Sequence, residues 1–301
     1  MSNYDNQKRP SYLFFDIEGY PDVDLILESN EGYDNIPRDA VCAKYREDQR
    51  KKAEQLRQRN KNYLEKEDWK ESAYFPVTFQ RPLFIAVAKI ASDYTFLDAS
   101  VLSTIDLFPD NPIQGSHLVC KKFLDGWRYY GGPTLVTFHG NAFDFPLLKF
   151  SAFNYGIDVH DFPFDEKMTR KAESPKHIDM YSVLSNYGAA SFRNGRPILT
   201  GILGKSGTGK LDYPELVEKL YKEYNFQAYQ NICLKRILDY YPIFLRLIKL
   251  TGGFGTIPPE KFNEELCKAS MKHWIQKQID DTPTQGKNLT GYLEQWEKYF
   301  K

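Results

Sequence analysis

The chain has 301 residues, 42% apolar and 27% charged, so general disorder and collagen-like repetition are excluded and one large domain or two small ones are expected. Forty basic and forty acidic side chains cancel, so a polyanionic partner has to be met by a local patch. No apolar run approaches the ~18–20 residues of a membrane span, Met1 to Pro10 carries no apolar signal region, and four cysteines without C-x-x-C spacing read as buried thiols; the cytoplasm is the expected compartment.

In chain order, Tyr12-Leu-Phe-Phe-Asp16-Ile-Glu18 is a short apolar strand ending in two carboxylates at alternate positions. A period of two puts Asp16 and Glu18 on one face, and Gly19 and Pro21 are expected to break the strand. From about Arg38 to Ser72 the chain is charged and helix-favouring without Gly or Pro, a helical insertion after the first strand. Within it Arg50, Lys51, Lys52, Arg57, Arg59 and Lys61 face Glu54 alone, a run that can track a phosphate backbone or form a solvated helix face. Leu83–Ile90 and Tyr94–Leu97 read as a hairpin extending the sheet. Leu118–Tyr129 reads as an amphipathic helix and Thr134–Phe138 as a buried strand, with a helix after Asp144. His177–Asp179 is strand-like, and Met180–Tyr187 is helical in character. Leu216–Tyr224, Gln227–Leu250, Pro258–Ile279 and Leu293–Phe300 read as helices. Strands first, then alternation, then helices alone predict an α/β sheet with a helical C-terminal half. The aromatic share of 15% is assigned to the core.

Two features carry chemistry. Buried carboxylates are costly unless paired or metal-bound, and Asp16 and Glu18 at a strand exit are placed to hold a hard divalent cation through oxygen ligands. The stretch Phe138-His139-Gly140-Asn141-Ala142-Phe143-Asp144 is a strand, a small-residue turn and an acid at the mouth of a helix. That places Asp144 beyond the strand ends, where α/β folds put their chemistry, or caps the helix with it.

An apolar strand ending in D-x-E, followed by F-D at a strand-to-helix turn, resembles the DnaQ-like (DEDD) 3′–5′ exonucleases. The chain is most similar to stand-alone members related to the proofreading domain of B-family DNA polymerases. The resemblance runs from about Ser11 to Leu266 and is concentrated in patches around these motifs. It implies a ribonuclease H-like mixed sheet flanked by helices over residues 1–254, with the helical insertion at about 37–72, and a helical C-terminal extension over 255–301. It also implies two divalent cations, Mg²⁺ or Mn²⁺, and single-stranded DNA or RNA 3′ ends as substrate, with the charged insertion open to a protein partner. No membrane partner is expected. By position, Asp16, Glu18 and Asp144 match metal-ligating acids, and Asp179 matches a supporting acid. His139, Asn141, Phe143, Tyr240 and Lys205 are the substrate-binding candidates.

The sequence departs from the family pattern twice. Gly140 separates His139 from Asn141, which the family places side by side. On the late helix, ungapped alignment puts Ile232 at the expected tyrosine and Arg236 at the expected aspartate. Arginine cannot ligate a metal and stays charged at every relevant pH. Asp239 lies three residues on, about −60° around the helix, and a kink at Pro242 can re-aim that turn; Asp239 is therefore the candidate fourth ligand. Tyr229, Tyr240 and Tyr241 are candidates for the missing tyrosine. The alternative to hydrolysis is a degenerate exonuclease fold used for nucleic-acid binding or as a scaffold. Gly204 to Lys210 fits G-x-x-x-x-G-K, but Leu211 stands where Mg²⁺ needs a Ser or Thr, so a nucleotide-hydrolysing loop is excluded.

Overall fold

The computed structural model describes residues 9–59, 75–108, 111–164, 176–187, 189, 195–204, 226–254, 261–281 and 283–301. Five strands, β1 (Tyr12–Pro21), β2 (Gln80–Ile90), β3 (Phe96–Leu102), β4 (Thr134–Thr137) and β5 (His177–Asp179), form one sheet in the order β3-β2-β1-β4-β5. The β1–β2 and β2–β3 pairs are antiparallel, whereas β4 runs parallel to β1 and β5 parallel to β4. This mixed sheet, flanked by helices, is the ribonuclease H-like architecture that the resemblance implies.

The described helices are α1 (Val23–Ser29), α2 (Val41–Arg59), α3 (Ser116–Tyr129), α4 (Asp144–Tyr155), α5 (Met180–Leu184), α6 (Gly195–Ile202), α7 (Phe226–Thr251), α8 (Glu264–Asp281), α9 (Pro283–Gln295) and α10 (Glu297–Phe300). The central strand reads as a continuous apolar run because both its faces are covered. Tyr12 and Phe14 pack on Phe244 of α7, ring centroids 5.3 and 5.0 Å apart. Phe15, pointing the other way, meets Phe123 of α3 at 4.9 Å and Phe145 of α4 at 5.4 Å. The aromatic surplus is thus spent in the core, where Phe84, Tyr240, Tyr241 and Trp296 are also buried. Met271, Trp274, Leu289, Tyr292 and Trp296 of the C-terminal helices join the same core as Phe14 and Phe244. No helix among the described residues is long and apolar enough to cross a membrane.

Several elements differ from expectation. β1 passes through a bulge between Glu18 and Gly19 and continues to Pro21. A Cβ at Gly19 would stand 2.2 Å from Gln80 Oε1, so only glycine lets the strand slip past that side chain, whose amide is anchored on the Phe75 carbonyl. Asp22 then caps α1 by accepting from the Leu25 N–H. As the Gln227–Leu250 expectation has it, α7 runs as a helix through Pro242, with the flanking Tyr241, Ile243 and Phe244 buried. Two helices, α9 and α10, stand where one short one was expected. The expected helix at Leu216–Tyr224, the end of the insertion, and Lys205 lie outside the described residues.

Candidate active site

β4 pairs with β1 only along Tyr12–Phe14 and then turns away, leaving β1 open on that side as it runs on to its acids. Asp144, the first residue of α4, fills the gap: its Oδ1 accepts the Ile17 N–H at 2.6 Å. Its carboxyl is pushed well above the usual range, chiefly by burial and next by the charge of Asp16, with the Ile17 N–H opposing. The side chain does not cap its own helix, which has no side-chain cap.

The turn between β4 and α4 is shaped by Asp179 at the end of β5. Asp179 Oδ1 accepts from the His139 N–H at 2.7 Å and the Tyr181 N–H at 3.1 Å; Oδ2 accepts from the Asn141 N–H and the Ser182 hydroxyl. These bonds hold His139 at φ 68°, unusual for a residue with a side chain. Gly140 is required here, since a Cβ would fall 2.4 Å from Thr137 Oγ1. The inserted glycine is therefore the steric condition for this turn. His139 and Asn141 are exposed at its rim and Phe143 is half-buried, while the Tyr181 ring lies 4.3 Å from the His139 ring. Beneath the rim, His177 is buried and shares a 2.8 Å hydrogen bond with Thr137; burial depresses its pKa to about 4, against the opposing charge of Asp179, so the ring is neutral near pH 7.

Asp16 and Glu18 point to α7, as their even-numbered neighbours Tyr12 and Phe14 do. Three side chains on one stripe of that helix meet them, at the spacings of seven and four that keep residues on one face. Tyr229 donates to Glu18 Oε2 at 2.7 Å, and Tyr240 donates to Asp16 Oδ1. Between them the Arg236 guanidinium bridges both acids: Nη2 lies 3.1 Å from Asp16 Oδ2, and Nη1 is ion-paired with Glu18 Oε1. All three carboxylates are buried, at 4% exposure for Asp16 and Glu18 and 3% for Asp144. Burial, and then the Glu18 charge, keep the Tyr229 hydroxyl protonated far into the alkaline range, so it remains a donor.

Asp239 is buried on a different face of α7, where Oδ1 accepts from the Tyr292 hydroxyl of α9 at 3.0 Å. The structure thus brings Arg236, Tyr229 and Tyr240 to Asp16 and Glu18, with Asp144 bonded to the Ile17 N–H between those two acids and His139, Asn141, Phe143 and Asp179 in the adjoining turn. It gives Asp239 a partner from the C-terminal extension. Tyr292 was not legible as part of this neighbourhood, because nothing local marks a contact made across 53 residues.

This donor set does not fit two divalent cations. A hard cation needs open carboxylate oxygens, and here a permanently charged guanidinium and two hydroxyls already engage Asp16 and Glu18. Among the described residues no three His, Cys, Asp or Glu side chains form a group that could hold a metal ion.

Comparison with protein families gives a match over residues 72–296 to the predicted 3′–5′ exonucleases related to the exonuclease domain of PolB. The chain belongs to that family. Comparison with curated proteins gives no match. The family match includes Asp144, Asp179, Arg236 and Asp239 and begins after β1, so Asp16 and Glu18 lie outside the matched stretch. Arg236 puts a cation of the protein's own beside the two acids of the first strand.

Proposed function

We propose that this PolB-related exonuclease relative grips the 3′ end of single-stranded DNA or RNA at the exposed turn beyond β4 without hydrolysing it through two bound cations. The observation that carries this reading is the Arg236 guanidinium bridging Asp16 and Glu18. For a cation to enter, Arg236 must leave two buried carboxylates, and breaking such a pair costs about 3–5 kcal/mol before any metal–oxygen contact is made. Retention of the acids follows without catalysis, since each has a partner on α7. The exposed His139 and Asn141, with Phe143 behind them, supply polar and aromatic contacts for a terminal nucleotide on a turn that Asp179 preorganises.

The test is incubation of the purified chain with 5′-labelled single-stranded DNA and RNA in Mn²⁺ and in Mg²⁺, beside Asp16→Ala and an active exonuclease as control. The expected result is binding without shortening. A ladder shortened from the 3′ end in the parent protein and lost in Asp16→Ala overturns it. That ladder belongs to a second reading, metal-dependent 3′–5′ hydrolysis with Asp16, Glu18, Asp144 and Asp239 around Mg²⁺ or Mn²⁺. The raised pKa of Asp144, which reflects burial and then negative charge from Asp16, favours that reading. In it, Asp239→Ala abolishes the ladder as well.

A further inference from the structure

The two halves of α2 differ in charge balance. In the first half, Val41 and Tyr45 pack with Ile26, Tyr33 and Phe75, and the charged side chains have partners. Lys44 pairs with Asp48, Lys51 with Glu47 at 2.6 Å, and the Arg46 guanidinium lies 5.2 Å over the Phe75 ring. From Arg50 to Arg59 the sequence holds five basic residues against Glu54 alone. Of these, Arg50, Lys52 and Arg59 are exposed and have no acidic partner among the described residues. Lys52 and Arg59, seven residues apart, share one stripe and Arg50 lies on the opposite side, while Ala53 is the buried position of this end.

The root of the helix pair is fixed close to the acids. Asp22, four residues beyond Glu18, donates its N–H to the Phe79 carbonyl at 2.8 Å and pairs with Arg81 at 2.9 Å, and the α1–α2 core packs on Phe79. α1 therefore follows directly from the end of β1 that delivers Asp16 and Glu18, and α2, packed on α1 through Val41 and Tyr45, extends over 19 residues or roughly 28 Å.

We infer that the Arg50–Arg59 end of α2 is a phosphate-binding arm for single-stranded nucleic acid, neutralising the backbone of the strand whose 3′ end lies at the exposed turn beyond β4. This rests on the function proposed above. The segment has no aromatic side chain, so it adds no stacking, and long flexible cations without fixed partners read charge and not base identity. The contact is sequence-independent and steeply salt-dependent.

The test is fluorescence anisotropy of the full chain with labelled oligothymidylate over a KCl series, comparing the parent with the triple variant Arg50→Gln, Lys52→Gln, Arg59→Gln, whose folding is checked by thermal melting. Each phosphate neutralised on a single strand contributes about 0.7 to the slope of log K against log salt, so the triple variant should bind more weakly with a slope shallower by about 2. An unchanged slope overturns the arm. Circular oligothymidylate, which has no 3′ end, separates the two readings. If linear and circular forms bind alike and the slope still falls in the variant, the arm stands and the 3′-end reading falls. If linear binds tighter and the slope is unmoved, the arm falls alone. Absence of binding overturns both.

Discussion

Arg236→Ala removes the one cation that bridges Asp16 and Glu18. The Arg236 side chain is 18% exposed, against 5% and 6% for its two partners, so the acids lie in a site that water does not rescreen. With the guanidinium gone, Tyr229 and Tyr240 still donate one hydrogen bond to each carboxylate, but two negative charges remain buried side by side. Loss of one partner from a buried pair costs about 3–5 kcal/mol, most of it the burden of the unpaired charge. For a chain of this size each kcal/mol moves the melting temperature by roughly 2 °C, so a fall of about 6–10 °C is expected near neutral pH. Millimolar Mn²⁺ should return part of that loss in the variant, because the acids now need a cation, and should leave the parent unchanged. The assay is thermal unfolding followed by circular dichroism, with and without Mn²⁺. If Arg236→Ala melts with the parent, the guanidinium is not the counter-ion of the site. If the parent itself gains several degrees from Mn²⁺, the acids are open to metal and the reasoning fails.

Arg236→Asp, which supplies the acid that the resemblance implies at this position, should melt lower still without cations and gain more from Mn²⁺ than Arg236→Ala, read in the same melts. His177 should make stability fall with acid: its pKa is about 4 folded against 6.5 free, so the unfolded chain binds the extra proton and stability is lost as pH drops from about 6.5 towards 4. The full effect is about 3 kcal/mol, measured by urea unfolding at both ends of that range, and His177→Gln should flatten that part of the profile. Gly140→Ala drives a methyl into Thr137 and should cost about 1–3 kcal/mol, with nucleic-acid affinity falling as the turn carrying His139 and Asn141 shifts; Gly156→Ala, where nothing lies within 4 Å but φ is 62°, should cost stability through the left-handed backbone yet spare binding.

The sequence by itself determined the strand carrying Asp16 and Glu18, the strand β2, the turn before Asp144 and the long α7, whereas the hairpin partner expected at Tyr94–Leu97 stands at Phe96–Leu102. In each case the signal is local: alternation, an apolar run, a small-residue turn, a helical period. The same periodicities put Asp16 and Glu18 on one face of β1 and Tyr229, Arg236 and Tyr240 on one face of α7. Only the tertiary structure decided that those two faces oppose each other, making Arg236 the partner of Asp16 across 220 residues. It likewise gave Asp239 to Tyr292, made Asp179 the clamp of the His139–Asn141 turn, and carried β1 past Gly19 on a bulge beside the Gln80 side chain. The physical reason is the same throughout. Secondary structure follows from neighbours a few residues apart, whereas the pairing of a buried charge depends on what packing brings within about 3 Å of it, and no local pattern encodes that.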